Sequence, residues 1–242
     1  MAWDEPSPNI PAMVLLYGPG KVGKTHFACF ATQEPVYIAD SDKRADIPML
    51  KAVAEGRRIH RKLCSSRKDV KLAVTQALQD AIARQQTEGA AWKPGTFVFD
   101  SASDLQDFAE DEYLEESKTD KLYPRVVYKR VYDKIDHLFE PLKNLGFNVL
   151  FLGREGEEWK GDSPTGKKRF SGYKRLPFKA DIVLRASIDK GPTGAGETGP
   201  WFYVENNGLT LGGPKALDAR SLTWQGMMKA LVAAPNKLES EA

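Results

Sequence analysis

One stretch, residues 13–27 (MVLLYGPGKVGKTHF), limits the fold of this chain more than any other. A short, unbroken apolar run at 13–17 stops at Gly18, and the spacing from Gly18 to Gly23-Lys24-Thr25 satisfies G-x-x-x-x-G-K-[ST]. A run without polar alternation suits a parallel strand buried on both faces, which in turn requires helices on both sides of the sheet. A helix is expected to start at Lys24 or Thr25 and run through Ala31. Gly18, Gly20 and Gly23 let successive main-chain N–H groups turn inward around an anion with no Cβ in the way. The helix behind them adds its positive N-terminal end. Gly18, Pro19, Gly20, Lys21, Val22, Gly23, Lys24, Thr25 and His26 are therefore the candidate ATP-binding residues. In this pattern Lys24 reaches the β- and γ-phosphates and the Thr25 hydroxyl binds Mg2+. The Lys21 side chain either touches phosphate or is solvated.

Beyond this loop, strand-like and helix-like runs alternate. Strands are expected at 35–42 (PVYIADSD), 95–100, 147–155 (FNVLFLGRE) and 180–189, with a hairpin partner at PWFYVENN after a glycine-rich turn. Helical spacing marks 69–89, ending at Gly89, then 122–146, interrupted or redirected near Pro141, and 218–234. This order predicts an α/β fold: a mainly parallel sheet flanked by helices, with a C-terminal antiparallel extension. A single domain is expected over 13–234. Residues 1–12, with three prolines, read as an extended arm, and 235–242 as a disordered tail.

Composition excludes some classes. No apolar run approaches the ~20 residues of a membrane span, and the first residues lack the basic-then-apolar layout of a secretory signal. Cys29 and Cys64 stand singly, with no metal-ligand spacing, which fits free thiols in a reducing cytoplasm. Net charge is only +2, but its distribution is uneven. Residues 56–71 and 159–179 each carry seven Lys/Arg against one Asp, while 104–116 carries seven carboxylates and no cation. The 56–71 run is expected on a helix or loop.

A second magnesium ligand should end a neighbouring strand, and TFVFDS supplies Asp100 in the Walker B manner. Asp40 and Asp42 end the strand that follows the first helix, and either could orient an attacking water. Here the sequence resembles RecA-like ATPase cores. VYIADSD resembles the strand that carries their catalytic glutamate, with Asp42 at the matching place. FVFDSASDL resembles their Walker B, and NVLFLGRE their γ-phosphate sensor strand, with Arg154 at the sensor position. Lys24, Asp42, Asp100 and Arg154 are thus the implied catalytic set, although the family usually carries Glu at the position of Asp42 and an amide or His at that of Arg154. Over residues 11–232, length and motif order are similar to those of small phage-encoded RecA-core ATPases of the Sak type.

That resemblance implies a cytoplasmic ATPase of recombination or strand annealing, in the host cytoplasm if phage-encoded. It implies a homo-oligomer, ring or filament, that binds single-stranded DNA beside a single-strand-binding protein. It also puts the second DNA-binding loop at 159–179. The residues there agree: Lys160, Lys167, Lys168, Arg169, Lys174 and Arg175 are interleaved with aromatic Phe170 and Tyr173, and basic groups with π-faces hold single strands. The other reading is a solvated loop whose aromatics pack on the core, Phe178 first among them. Lys215 and Arg220 are candidates, by position, for a cation reaching a neighbour's γ-phosphate. A second class of function is a P-loop ATPase acting on a protein, a helicase loader or partition-type switch, with 104–116 as the partner surface. A small-molecule phosphotransferase is disfavoured, because no arginine-rich lid stands out.

Overall fold

A computed structural model describes residues 11–43, 45–118, 126–194, 197–209 and 214–232. The expected arm, apart from residues 11 and 12, and the expected tail lie outside these residues.

Strand β1 (Met13–Gly18) is wholly buried and central to the sheet. It pairs in parallel with β5 (Asn148–Lys160) on one side and β7 (Ile182–Asp189) on the other. Outward from β5 lie β4 (Thr96–Asp100), β2 (Val36–Asp40) and β3 (Ile59–Leu63), all parallel. On the far side of β7, β8 (Gly199–Asn207) and β9 (Ala216–Asp218) run antiparallel, as the hairpin pattern predicts. The final strand, β6 (Ser163–Ser171), pairs only with the outer half of β5.

The period of two along each strand divides the core into two layers. Leu15, Tyr17, Phe97, Phe99, Val149 and Phe151 face one side. There they meet α3 (Arg67–Glu88), α4 (Leu105–Ser117) and α5 (Val126–Asn144). Phe99 stacks on Phe151 with ring centres 4.9 Å apart, and Phe139 of α5 meets Phe151 edge-on. Val14, Leu16, Val98, Leu150 and Leu152 face the other side, against α1 (Lys24–Ala31), α2 (Asp46–Ala54) and α7 (Trp224–Val232). Helix α3 starts where Ser66 accepts a hydrogen bond from the Asp69 N–H, and it ends at Gly89 with φ +56°.

Four expectations need correction. Residues 59–63 form the edge strand β3 rather than helix or loop. Helix α5 continues past Pro141 to Asn144 instead of being interrupted there; the ring removes one i→i−4 hydrogen bond, and the next turn still closes, with the Leu145 N–H on the Pro141 carbonyl. The basic stretch 159–179 is mostly a β-ribbon, formed by β5 and β6, rather than a loop. Phe178 is 88% exposed; its short helix, α6 (Leu176–Lys179), buries Leu176 instead.

Candidate functional site

Parallel pairing brings the carboxyl ends of the strands into line. Asp40 and Asp100 are register partners, Asp100 is opposite Leu152, and Gly18 is opposite Arg154. Residues far apart in sequence thus converge on one rim of the sheet, where an open α/β sheet binds its ligands.

The phosphate loop has the backbone its glycines foretell. Gly18 (φ +154°) lies so close to β7 that a Cβ would stand 2.5 Å from the Ala186 carbonyl oxygen. Gly23 (φ +88°) is the N-cap of α1 and offers no side chain to its first N–H groups. Those donors remain for an anion. Lys21 also adopts a positive φ, +64°, with its side chain exposed. Lys24 Nζ folds back on the loop, donating to the carbonyls of Gly18 (2.9 Å) and Pro19 (2.6 Å). Burial holds the Lys24 ammonium below its usual pKa, against the opposing pull of Asp100, Glu155 and Asp42.

Thr25 Oγ1 donates to Asp100 Oδ2 at 2.9 Å, which puts the two expected magnesium ligands side by side. Burial pushes Asp100 up to about 6; Asp40 and Asp42 add to the shift, while Thr25 and Lys24 oppose it. A buried carboxylate with anionic neighbours beside a hydroxyl fits a divalent cation. No group of three or more His, Cys, Asp or Glu gathers here among the described residues. An ion held by Thr25 and Asp100 would complete its oxygen shell from phosphate and water.

The structure separates the two aspartates that the sequence left equivalent. Asp40 is fully buried and ion-paired to Arg61 at 2.5 Å, so it anchors edge strand β3. Asp42, on the loop beyond, is bonded by Arg154 Nη2 at 3.0 Å. Arg154 also pairs with Asp104 at 3.1 Å, and its backbone N–H donates to Ser103 Oγ. Asp104 and Ser103 were hidden at the start of the acidic run; their signal was proximity to Asp100, in the short turn that follows β4.

Beside the loop lies a cleft of about 560 Å³. Lys21, His26 and Phe30 line one wall, and Arg220, Leu222 and Thr223 the other. His26 stacks on Phe30, with ring centres 4.3 Å apart. Arg220 lines this cleft and is exposed, tied to Asp218 at 2.5 Å and to Glu197 at 3.6 Å. Lys215 is exposed. A second cleft, of about 220 Å³ between β2, β3 and α3, contains no residue of the phosphate loop.

A model of the AAA domain family matches residues 10–223. The chain belongs to that family. No curated protein matches this sequence. Among solved structures, the AAA domain is similar to a KaiC-like protein from the hyperthermophilic archaeon Pyrococcus horikoshii OT3, with 14% identity and a TM-score of 0.43. That match covers 81% of this chain and 79% of the other. The AAA domain described here is a mostly parallel sheet with flanking helices and a C-terminal antiparallel extension. Among its described residues no helix is long and apolar enough to cross a membrane.

The expected DNA-binding residues divide by exposure. On the ribbon, Lys160, Lys167, Lys168 and Arg169 are exposed, as is Trp159 (54%). Phe170 and Tyr173 are buried, which corrects their assignment as stacking faces. Phe170 packs on Gly153 and edge-on against Tyr17, and the Tyr173 hydroxyl donates to buried Asp136 at 2.8 Å. Lys174 and Arg175 are exposed beyond the ribbon, where the Arg175 guanidinium lies over the Tyr132 ring, 4.7 Å from its centre.

Proposed function

We propose that this AAA domain binds and hydrolyses ATP and couples that cycle to single-stranded DNA held on the β5–β6 ribbon. One observation carries the reading: β5 runs without a break from Arg154, opposite the first glycine of the phosphate loop, into a ribbon bearing Lys160, Lys167, Lys168 and Arg169. The nucleoside occupies the cleft between His26 and Arg220. The N–H groups of the loop and Lys24 hold the β- and γ-phosphates. A magnesium ion held by Thr25 and Asp100 would neutralise phosphate charge. Asp42 orients the attacking water and accepts its proton as the γ-phosphoryl group leaves. Arg154 reports the γ-phosphate to the ribbon, whose cations track a strand backbone while Trp159 offers a face for base stacking.

Assembly into a ring or filament, with Lys215 reaching a neighbour's nucleotide, belongs to the same proposal, as do a single-strand-binding partner and a Sak-type role in phage recombination or annealing. A specific observation favours a protein partner as the second reading. Asp107, Asp111 and Glu115 form an exposed acidic row on α4, at helical spacing. ATP turnover with and without single-stranded DNA separates the two. The first reading expects stimulation that disappears when Lys167, Lys168 and Arg169 are replaced by Ala. Turnover indifferent to DNA supports the second, and no turnover under any condition rejects both.

A further inference from the structure

We propose that Asp104 is a positioning residue, one that holds Arg154 jointly with Asp42 and so sets how strongly the site prefers a nucleoside triphosphate to a diphosphate. The inference rests on the nucleotide-binding reading above.

The root of Arg154 is fixed. Its Cα lies in register with Gly18, and its N–H donates to Ser103 Oγ at 2.9 Å. Its head, by contrast, is half exposed and bonded to two carboxylates from different loops: Asp42, after β2, at 3.0 Å and Asp104, after β4, at 3.1 Å. Asp104 is itself aimed. Ser41 Oγ donates to its Oδ2 at 2.6 Å and itself accepts from the Ser101 N–H at 2.9 Å. A hydrogen-bonded chain therefore runs from the turn after Asp100, through Ser41 and Asp104, to the guanidinium.

Two carboxylates on one guanidinium leave a net negative charge at the rim where a terminal phosphate would arrive. Carboxylate and phosphate present similar oxygen pairs to arginine, so they compete for the same donors. A γ-phosphate must draw Arg154 from this pair of carboxylates, whereas a diphosphate ends short of it. Asp104 thus opposes triphosphate binding selectively. It does so without touching nucleotide.

Dissociation constants for MgADP and for a magnesium-bound, nonhydrolysable ATP analogue, measured by calorimetry on the full chain, test this. Asp104→Asn should tighten the triphosphate about fivefold, the size expected of one half-exposed charge pair, with MgADP constant within about twofold. Arg154→Ala should weaken the triphosphate alone, and Asp104→Glu should restore the wild-type ratio. Should Asp104→Asn not fold, Asp104→Ser removes the same charge and should shift the ratio in the same direction. A triphosphate-to-diphosphate ratio that stays constant across these variants overturns the proposal while leaving nucleotide binding intact. A wild-type chain that binds neither ligand overturns the nucleotide reading itself.

Discussion

Lys24 is poised by its own loop: with Nζ on the carbonyls of Gly18 and Pro19, its ammonium already lies within the cradle. Replacing it with Ala removes the charge while leaving α1 its cap at Gly23. Lys24→Ala should therefore fold normally by circular dichroism yet lose MgATP affinity on the order of 100-fold, since the lost contact is a charge-assisted one in a partly buried site. Cys29 and Cys64 behave in the opposite way. Burial pushes both thiols up to about 12, so almost none of either is thiolate near neutrality. Iodoacetamide at pH 8 should label the native chain hardly at all and label both thiols once it is unfolded. Lys24, Thr25 and Asp100 were legible in the sequence because each belongs to a local pattern with a defined strand before it. Asp40 and Asp42 were not separable, since the partner that distinguishes them, Arg61 or Arg154, comes from a remote strand.

The β5–β6 ribbon shows why some elements escaped sequence reading. Residues 157–169 are almost all partly or fully exposed, so no apolar period marks them as strands, and their pairing partners are set by the reverse turn alone. Edge strand β3 is similar: its IHRKL sequence pairs through β2 and buries little. Strands β1, β2, β4, β5 and β7 were legible because burial on both faces forces continuous hydrophobicity. What ties the ribbon to the core is Phe170, whose ring fills the space where a Cβ on Gly153 would stand at 2.4 Å. Cations projecting from such a scaffold act through phosphate. Replacing Lys167, Lys168 and Arg169 with Ala should lower single-stranded DNA affinity and reduce the slope of log K against log salt by about 2, at ~0.7 for each lost contact. A fluorescence-anisotropy titration over several salt concentrations reads both.

Across the molecule, the sheet separates two apolar layers that carry different duties. The layer with α1 supports the phosphate loop, and the layer with α3, α4 and α5 supplies bulk through stacked aromatics. Phe151 is at the centre of the second layer, fully buried between Phe99 and Phe139. Phe151→Ala should cost ~3–5 kcal/mol in urea unfolding, from lost transfer energy and the cavity left behind. The open rim at β3 has its own consequence. Lys62 lies on that strand and Arg58 precedes it, so two copies zipped rim to rim would bring these cations together along the seam. Mirror-like β-sheet extension is thereby discouraged, and a neighbour that uses this border must bring an unlike, acidic surface to it.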